Sequence, residues 1–224
     1  MTPRLVILGP PGAGKGTQAA RLTERWAIPH IASGEILRAA ARADTPRGRM
    51  LREIVASGCL VDDGLVTEII AERVTGPDAA KGFVLDGFPR TLDQARALTG
   101  IIGGGPPLVV IELVLSDAQL RRRLAGRRVC SDCGANAKVN EDVSRCGECH
   151  GTLVRRPDDA EEVVRRRIAI YRQEIAPLVE YFDRTVGVLQ IDGDHSLDTV
   201  TAAITSGVEM QVARLTRSVV SFPL

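Results

Sequence analysis

Short apolar runs alternate with longer amphipathic segments along most of this chain. Arg4–Leu8, Pro29–Ala32, Gly82–Leu85, Leu108–Leu115 and Val186–Ile191 read as strands. The longer runs are almost unbroken in Val, Ile and Leu, as in strands covered on both faces. Between them, helical spacing predicts a helix from the glycine-rich turn through about Trp26, then Gly34–Arg42, Arg49–Ser57 and Asp63–Val74. Further helices are predicted over Ser116–Ala125, from Asp158 to about Asp183, and over Ser196–Arg214. Asp44-Thr45-Pro46 reads as a breaker between two of these helices. Ser116 with Gln119 forms a capping box, and Asp158 with Glu161 gives a similar start signal. The alternation predicts an α/β fold on a parallel sheet. Residues Arg127 to Pro157 break the rhythm. Glycine and polar residues dominate there, so the stretch reads as a small insertion without a core of its own.

A chain of 224 residues suits one domain with small insertions. The net charge of +1 and the 3% aromatic content argue against a nucleic-acid partner. The longest apolar run, Leu108–Leu115, is interrupted by Glu112 and is too short to span a bilayer. The run Leu5–Leu8 ends at Gly and Pro, unlike a signal peptide. The expectation is a cytoplasmic protein without a membrane partner. The charge balance hides a contrast. Arg121 to Arg167 hold 12 basic and 8 acidic residues, a net +4. Arginines also outnumber lysines, 26 to three, and Lys15 is one of the three.

Lys15 lies in the run Gly9-Pro-Pro-Gly12-Ala13-Gly14-Lys15-Gly16-Thr17 between the first strand and the first helix. Glycines let backbone N–H groups turn inward, and the helix N-terminus adds partial positive charge, which makes an anion cradle. Lys15 would reach the outer phosphates of a nucleotide. The usual hydroxyl position is Gly16, with Thr17 one place later. Helical geometry selects arginines for the same task. With steps of about 100° from Val164, Arg165 and Arg166 fall on outer faces and Arg167 at the edge of the apolar stripe. Arg123 falls on the apolar side of its helix, with Arg121 and Arg122 pointing away. An arginine so placed is held by a structural ion pair or by a bound anion.

These features together resemble the adenylate kinase family. Ser33-Gly34-Glu35-Ile36-Leu37-Arg38 is similar to the family's acceptor segment, with Ser33 for the usual Thr and Glu35 for the usual Asp. Asp86-Gly87-Phe88-Pro89-Arg90-Thr91 matches its most specific motif, and Gln94 follows at the expected spacing. Gly126-Arg127-Arg128 and Arg156-Pro157-Asp158-Asp159 bracket the insertion. The resemblance runs from Leu5 to about Gly193. It implies a phosphate-loop fold with a core of residues 1–31, 61–126 and 159–224, an acceptor nucleotide segment of 32–60 and a lid of 127–158. It implies a monomer that transfers the terminal phosphate of Mg-ATP to AMP. ATP would lie on Gly12, Ala13, Gly14, Lys15, Gly16, Thr17, Arg123, Arg127, Gly193 and His195. AMP would lie on Ser33, Arg38, Cys59, Val61, Gly87, Arg90, Gln94, Arg156 and Arg167. The catalytic set would be Lys15, Asp86, Arg90, Arg123, Arg127, Arg156 and Arg167, with Asp86 orienting hydrated Mg²⁺ and Arg128 over the donor base. Gln94 can donate and accept on one edge, as adenine's N6 and N1 require. A GTP donor, another acceptor and a zinc-ribbon nucleic-acid binder with a vestigial phosphate loop are the competing readings.

The insertion holds four of the five cysteines. Cys130-x2-Cys133 and Cys146-x2-Cys149 are two knuckles able to complete a tetrahedral thiolate site, read as structural zinc. Iron fits the same sulfur set. The gap of twelve residues is short for such sites, leaving Asn136 or Lys138 to supply lid contacts. Cys59 stands apart and reads as a half-buried small apolar residue.

Overall fold

The computed structural model describes residues 2–137 and 144–220, with side chains to residue 215. Lys138 lies outside the described residues. Five parallel strands form the main sheet: β1 (Arg4–Leu8), β2 (His30–Ala32), β3 (Phe83–Asp86), β4 (Leu108–Val114) and, at the far edge, β7 (Val188–Asp192). Their spatial order is β2-β3-β1-β4-β7. A two-residue antiparallel ladder, β5 (Val129–Cys130) with β6 (Leu153–Val154), lies in the insertion.

The sheet is buried on both faces, and the period of two can be followed through it. Val6, Leu8, Phe83, Leu85, Leu108 and Val110 join one apolar layer; Leu5, Ile7, Val84, Val109, Ile111 and Leu113 join the other. Among the described residues, eight helices supply the cover: α1 (Lys15–Trp26), α2 (Ser33–Arg42), α3 (Pro46–Ser57), α4 (Asp63–Val74), α5 (Leu92–Ile102), α6 (Asp117–Gly126), α7 (Glu161–Thr185) and α8 (Leu197–Val220). Leu37, Leu51, Ile70 and Leu98 pack on the first face. Leu22, Leu120, Ile204 and Val208 pack on the second. Helix α7 serves both, through Leu178 and Phe182 on one and Val164 and Ile168 on the other.

Several sequence expectations need correction. The break between α2 and α3 stands, but α3 starts at Pro46 rather than Arg49, with Thr45 Oγ1 accepting from Gly48 N. Proline at the first helical position loses a donor that would be unpaired anyway. The segment Leu92–Ile102, for which no helix is expected above, is α5. Its cap is Thr91, whose hydroxyl accepts from Gln94 N. Ser116 caps α6, accepting from Gln119 N. Asp158 does not cap α7: it sits buried in a 3-10 turn, Pro157–Asp159, and Ala160 precedes the helix without a side-chain cap. Helix α8 runs past Arg214 to Val220.

The order of the strands decides where a ligand can sit. β1 has β3 on one side and β4 on the other, so connections leave its carboxyl end in opposite directions. That divergence opens a crevice in open parallel sheets.

Candidate active site

The loop after β1 crosses this crevice. An ideal Cβ at Gly12 would lie 2.8 Å from Leu124 Cγ, and its φ is 84°, so only glycine lets the loop pass this close to α6. Lys15 opens α1 and donates to Gly9 O at 2.8 Å and Pro10 O at 3.0 Å, which fixes its ammonium inside the loop. Loss of water lowers the Lys15 pKa to about 8, with Asp86 opposing the shift and Arg90, Arg167 and Arg127 adding to it. Asp86, at the carboxyl end of β3, faces the same loop: a Cβ at Gly16 would be 3.4 Å from its Oδ2. Burial works against the charge on Asp86, but His30, Lys15 and Arg90 outweigh it and hold the carboxyl below its ordinary value. His30 Nε2 lies 3.7 Å from Asp86 Oδ2. Thr17 faces solvent on the first turn of α1.

The turn after β3 is held from several sides. Ser33 Oγ and Arg90 Nε both donate to Gly87 O, at 2.7 and 2.8 Å. Gln94 Oε1 accepts from Arg90 N at 2.8 Å, and Gln94 Nε2 donates to Asp63 Oδ1 at 2.8 Å. Thr91 donates to the other oxygen of Asp63. Asp63 therefore anchors both Thr91 and Gln94 from α4. Sequence reading assigns it only to a helix start, because no local pattern links it to residues about thirty places away.

A cleft of about 580 Å³ opens above this turn. Its lining includes Ser33, Arg38, Cys59, Val61, Gly87, Arg90, Gln94 and Arg167. Arg156 is the one expected acceptor residue that does not line it. Cys59 is exposed there rather than half-buried, since it lies just past the Gly58 cap of α3 and borders the open cleft. The Ser57 hydroxyl and Arg166 hold its thiol below the ordinary value. A second cavity, about 640 Å³, continues past Arg90 and Arg167 to Gly9 and Lys15.

Arginines from separate elements converge on the junction. Arg167 donates to Asp158 Oδ2 at 2.8 Å and lies 3.8 Å from Asp159 Oδ1. Arg127 pairs with Asp159, its Nε at 2.7 Å from Oδ2. Arg38 and Arg156 lie in the same field, and Arg156 has no carboxylate within ion-pair distance among the described residues. Six cations, Lys15, Arg38, Arg90, Arg127, Arg156 and Arg167, thus crowd around Asp86, Asp158 and Asp159. Arg90 keeps accessible surface, but the cleft walls strip enough water to lower its pKa to about 10, helped by the charge of Arg167. Desolvation, then Arg38 and Arg127, lower Arg156 to about 10. Asp158 stays ionised against its burial because Arg167, Arg156, Arg38 and Arg127 surround it. Such an excess of desolvated positive charge is favourable only with an anion between the groups.

Arg123 lies apart from this cluster in its hydrogen bonding. It bridges the phosphate loop to the turn after β7, donating to Ala13 O at 3.3 Å and Gly193 O at 2.7 Å. His195 follows on that turn, more than half exposed and 3.4 Å from Asp192 Oδ2. Arg128 folds back onto Arg127 O at 3.1 Å and Ala125 O at 3.4 Å.

In the insertion, the sulfurs of Cys130, Cys133, Cys146 and Cys149 lie within 4.8 Å of one another. Cys130–Cys149 and Cys133–Cys146 are 3.4 and 3.7 Å apart. A tetrahedral ion about 2.3 Å from each sulfur spaces them by about 3.8 Å, so the residues fit one. Their protonation conflicts too. The N–H groups of Cys133 and Asp132 help pull Cys130 down to about 7; Cys149 is pushed up to about 12 by Cys130 and Cys133, against the Gly151 N–H. A cation resolves that conflict by taking all four as thiolates.

Comparison with known proteins agrees with this geometry. A family model described as adenylate kinase matches residues 7–186. An adenylate kinase of Kosmotoga olearia is 40% identical over 212 residues, 92% of this chain and 98% of that protein. One of Citrifermentans bemidjiense is 41% identical over 210 residues, 91% of this chain and 98% of the relative. One of Carboxydothermus hydrogenoformans is 41% identical over 216 residues, 92% and 99%. A match that runs through the phosphate loop, the convergent arginines and the insertion between them leaves one assignment: the chain belongs to the adenylate kinase family.

Proposed function

We propose that this protein is a cytoplasmic, monomeric enzyme that transfers the terminal phosphate of ATP to AMP, reversibly, giving two ADP and balancing adenine nucleotides. The observation that carries the reading is the convergence of Lys15, Arg38, Arg90 and Arg167 on two cavities that share Arg90 and Arg167 in their walls, with Arg127 and Arg156 in the same field. Phosphoryl transfer needs two phosphates in line, their charge neutralised and water excluded.

Residues 32–60 form the acceptor segment, 127–158 the lid, and the remainder the core. ATP lies with its phosphates on Gly12 to Thr17 and its base toward Gly193 and His195. AMP occupies the cleft lined by Ser33, Arg38, Cys59, Val61, Gly87, Arg90 and Gln94. Arg38 and Arg90 clamp the acceptor phosphate, and Arg123, Arg127, Arg156 and Arg167 take up charge on the transferred group. Arginine suits this because its planar fork binds two phosphate oxygens at once. Gln94 turns its amide to the adenine edge, and Asp63 keeps it in place. Mg²⁺ supplies neutralisation between the donor phosphates when bound, and Asp86 holds its waters. Zinc on the four cysteines holds the lid together, with no role in the transfer.

The test is ADP formation with AMP, UMP, CMP and GMP as acceptors and ATP or GTP as donor, with metal content measured on the same sample. AMP with ATP is the expected fastest pair, with one zinc per chain. A preference for UMP or CMP would overturn the acceptor assignment.

A further inference from the structure

Helix α7 carries two adjacent arginines that leave it in different directions. Arg167 turns inward to Asp158. Arg166 is exposed and lines neither cavity; it stands beside the Cys59 thiol at the edge of the acceptor cleft. It reaches across to the α2–α3 arm instead, donating from Nη1 to Ser57 O at 3.0 Å. Ser57 is the last residue of α3, so this carbonyl belongs to the turn whose acceptors lack helical partners and carry partial negative charge. A guanidinium fits that position in both charge and hydrogen-bonding capacity.

The next residue shows how closely arm and helix are seated. Gly58 caps α3 with φ 74°. A Cβ there would lie 2.8 Å from Val163 Cγ1 and 3.1 Å from the Arg167 side chain at Cγ. Beyond it, Cys59, Leu60 and Val61 form one wall of the acceptor cleft, with Arg167 on another. The contact made by Arg166 thus lies directly beside the pocket wall.

We propose that Arg166 is a positioning residue for the acceptor nucleotide: it docks the α2–α3 arm on α7, so that residues 58–61 close the pocket while Arg167 stands at its junction with the donor site. This rests on the reading of that cleft as the acceptor pocket. Because Arg166 and Arg167 are consecutive on one helix, seating the arm and presenting the charge-neutralising arginine become one event. AMP binding gains from the docked arm; ATP, held by the phosphate loop on the other side of the sheet's crevice, does not.

The experiment compares wild type with Arg166→Ala and Arg166→Lys, measuring KM for both nucleotides, calorimetric Kd for each, kcat and thermal melting. In Arg166→Ala, KM and Kd for AMP are expected to rise about tenfold, the size of one charge-assisted hydrogen bond at a partly solvated site. ATP affinity, kcat and melting temperature stay at wild-type values. Lysine keeps a cationic donor and recovers most of the AMP affinity. Unchanged AMP affinity in Arg166→Ala overturns the proposal, as does a parallel loss of ATP and AMP affinity with a lowered melting temperature. Arg38→Ala, measured alongside, tests the pocket separately. Loss of AMP binding there, with Arg166→Ala unaffected, removes the docking role and leaves the acceptor assignment standing.

Discussion

The sheet core and the cysteine insertion solve the folding problem by different means. In the core, alternate residues of β1, β3 and β4 bury into two apolar layers, so hydrophobic burial alone holds the strands and fixes the loops at their carboxyl ends. Among the described residues of the insertion, the apolar cluster is Cys130, Cys146 and Leu153, with Ala135 and Ala137 packed beside them, and the ladder is two residues long. Four thiols within reach of one cation stand where the sheet has its core. The difference teaches where each region is vulnerable: the core to loss of side-chain volume, the insertion to loss of one cysteine.

Both regions meet at the arginine cluster, and the largest expected effect lies there. Arg90→Ala removes a desolvated donor at the junction and is expected to lower kcat on the order of 10³-fold in a coupled ADP assay, with an unchanged melting curve. Activity within a few-fold of wild type would break the clamp assignment. Next comes the core. Leu85 is fully buried in β3, directly before Asp86. Leu85→Ala is expected to cost about 2–5 kcal/mol of global stability in urea unfolding. A loss far below that would show that the sheet is not the part that carries the fold.

The lid variant should behave differently. Cys146→Ala is expected to abolish zinc binding and lower kcat about tenfold through incomplete closure, while the main calorimetric transition stays in place. Collapse of the whole transition would erase the distinction between the regions. The smallest effect concerns Lys15, which belongs to the core alone. Its folded pKa of about 8 means that the ammonium is kept below that pH and lost above it. kcat/KM for ATP should therefore halve near pH 8 and fall further as pH rises, while kcat changes less because bound phosphate restores the proton. The Cys146→Ala enzyme should show the same profile. A profile shifted in that variant would tie Lys15 to the lid.

Much of this was legible before the fold. The glycines and Lys15 of the phosphate loop, the inward lean of Arg123 and Arg167, and the paired knuckles each follow from a local pattern. α5 was not, because Leu92–Ile102 follows a special turn and begins with Thr91, a cap better recognised once the turn is seen. Asp158 shows the limit of start signals. Acid before a helix stabilises its N-terminus, but here four arginines surround it and compete more strongly for its charge.

By itself, then, the sequence determined the alternation of strands and helices, the phosphate loop and the paired cysteines of the insertion. Each depends on residues close together in the chain, where spacing fixes geometry. Only the tertiary structure decided which charges meet. It set Arg127 on Asp159 and Arg167 on Asp158, placed Arg123 on Ala13 and Gly193, tied Gln94 to Asp63, and sent Arg166 to α3. Those partners come from elements that the sheet order brings together, and the range of a charge in a desolvated cleft is measured through space, not along the chain.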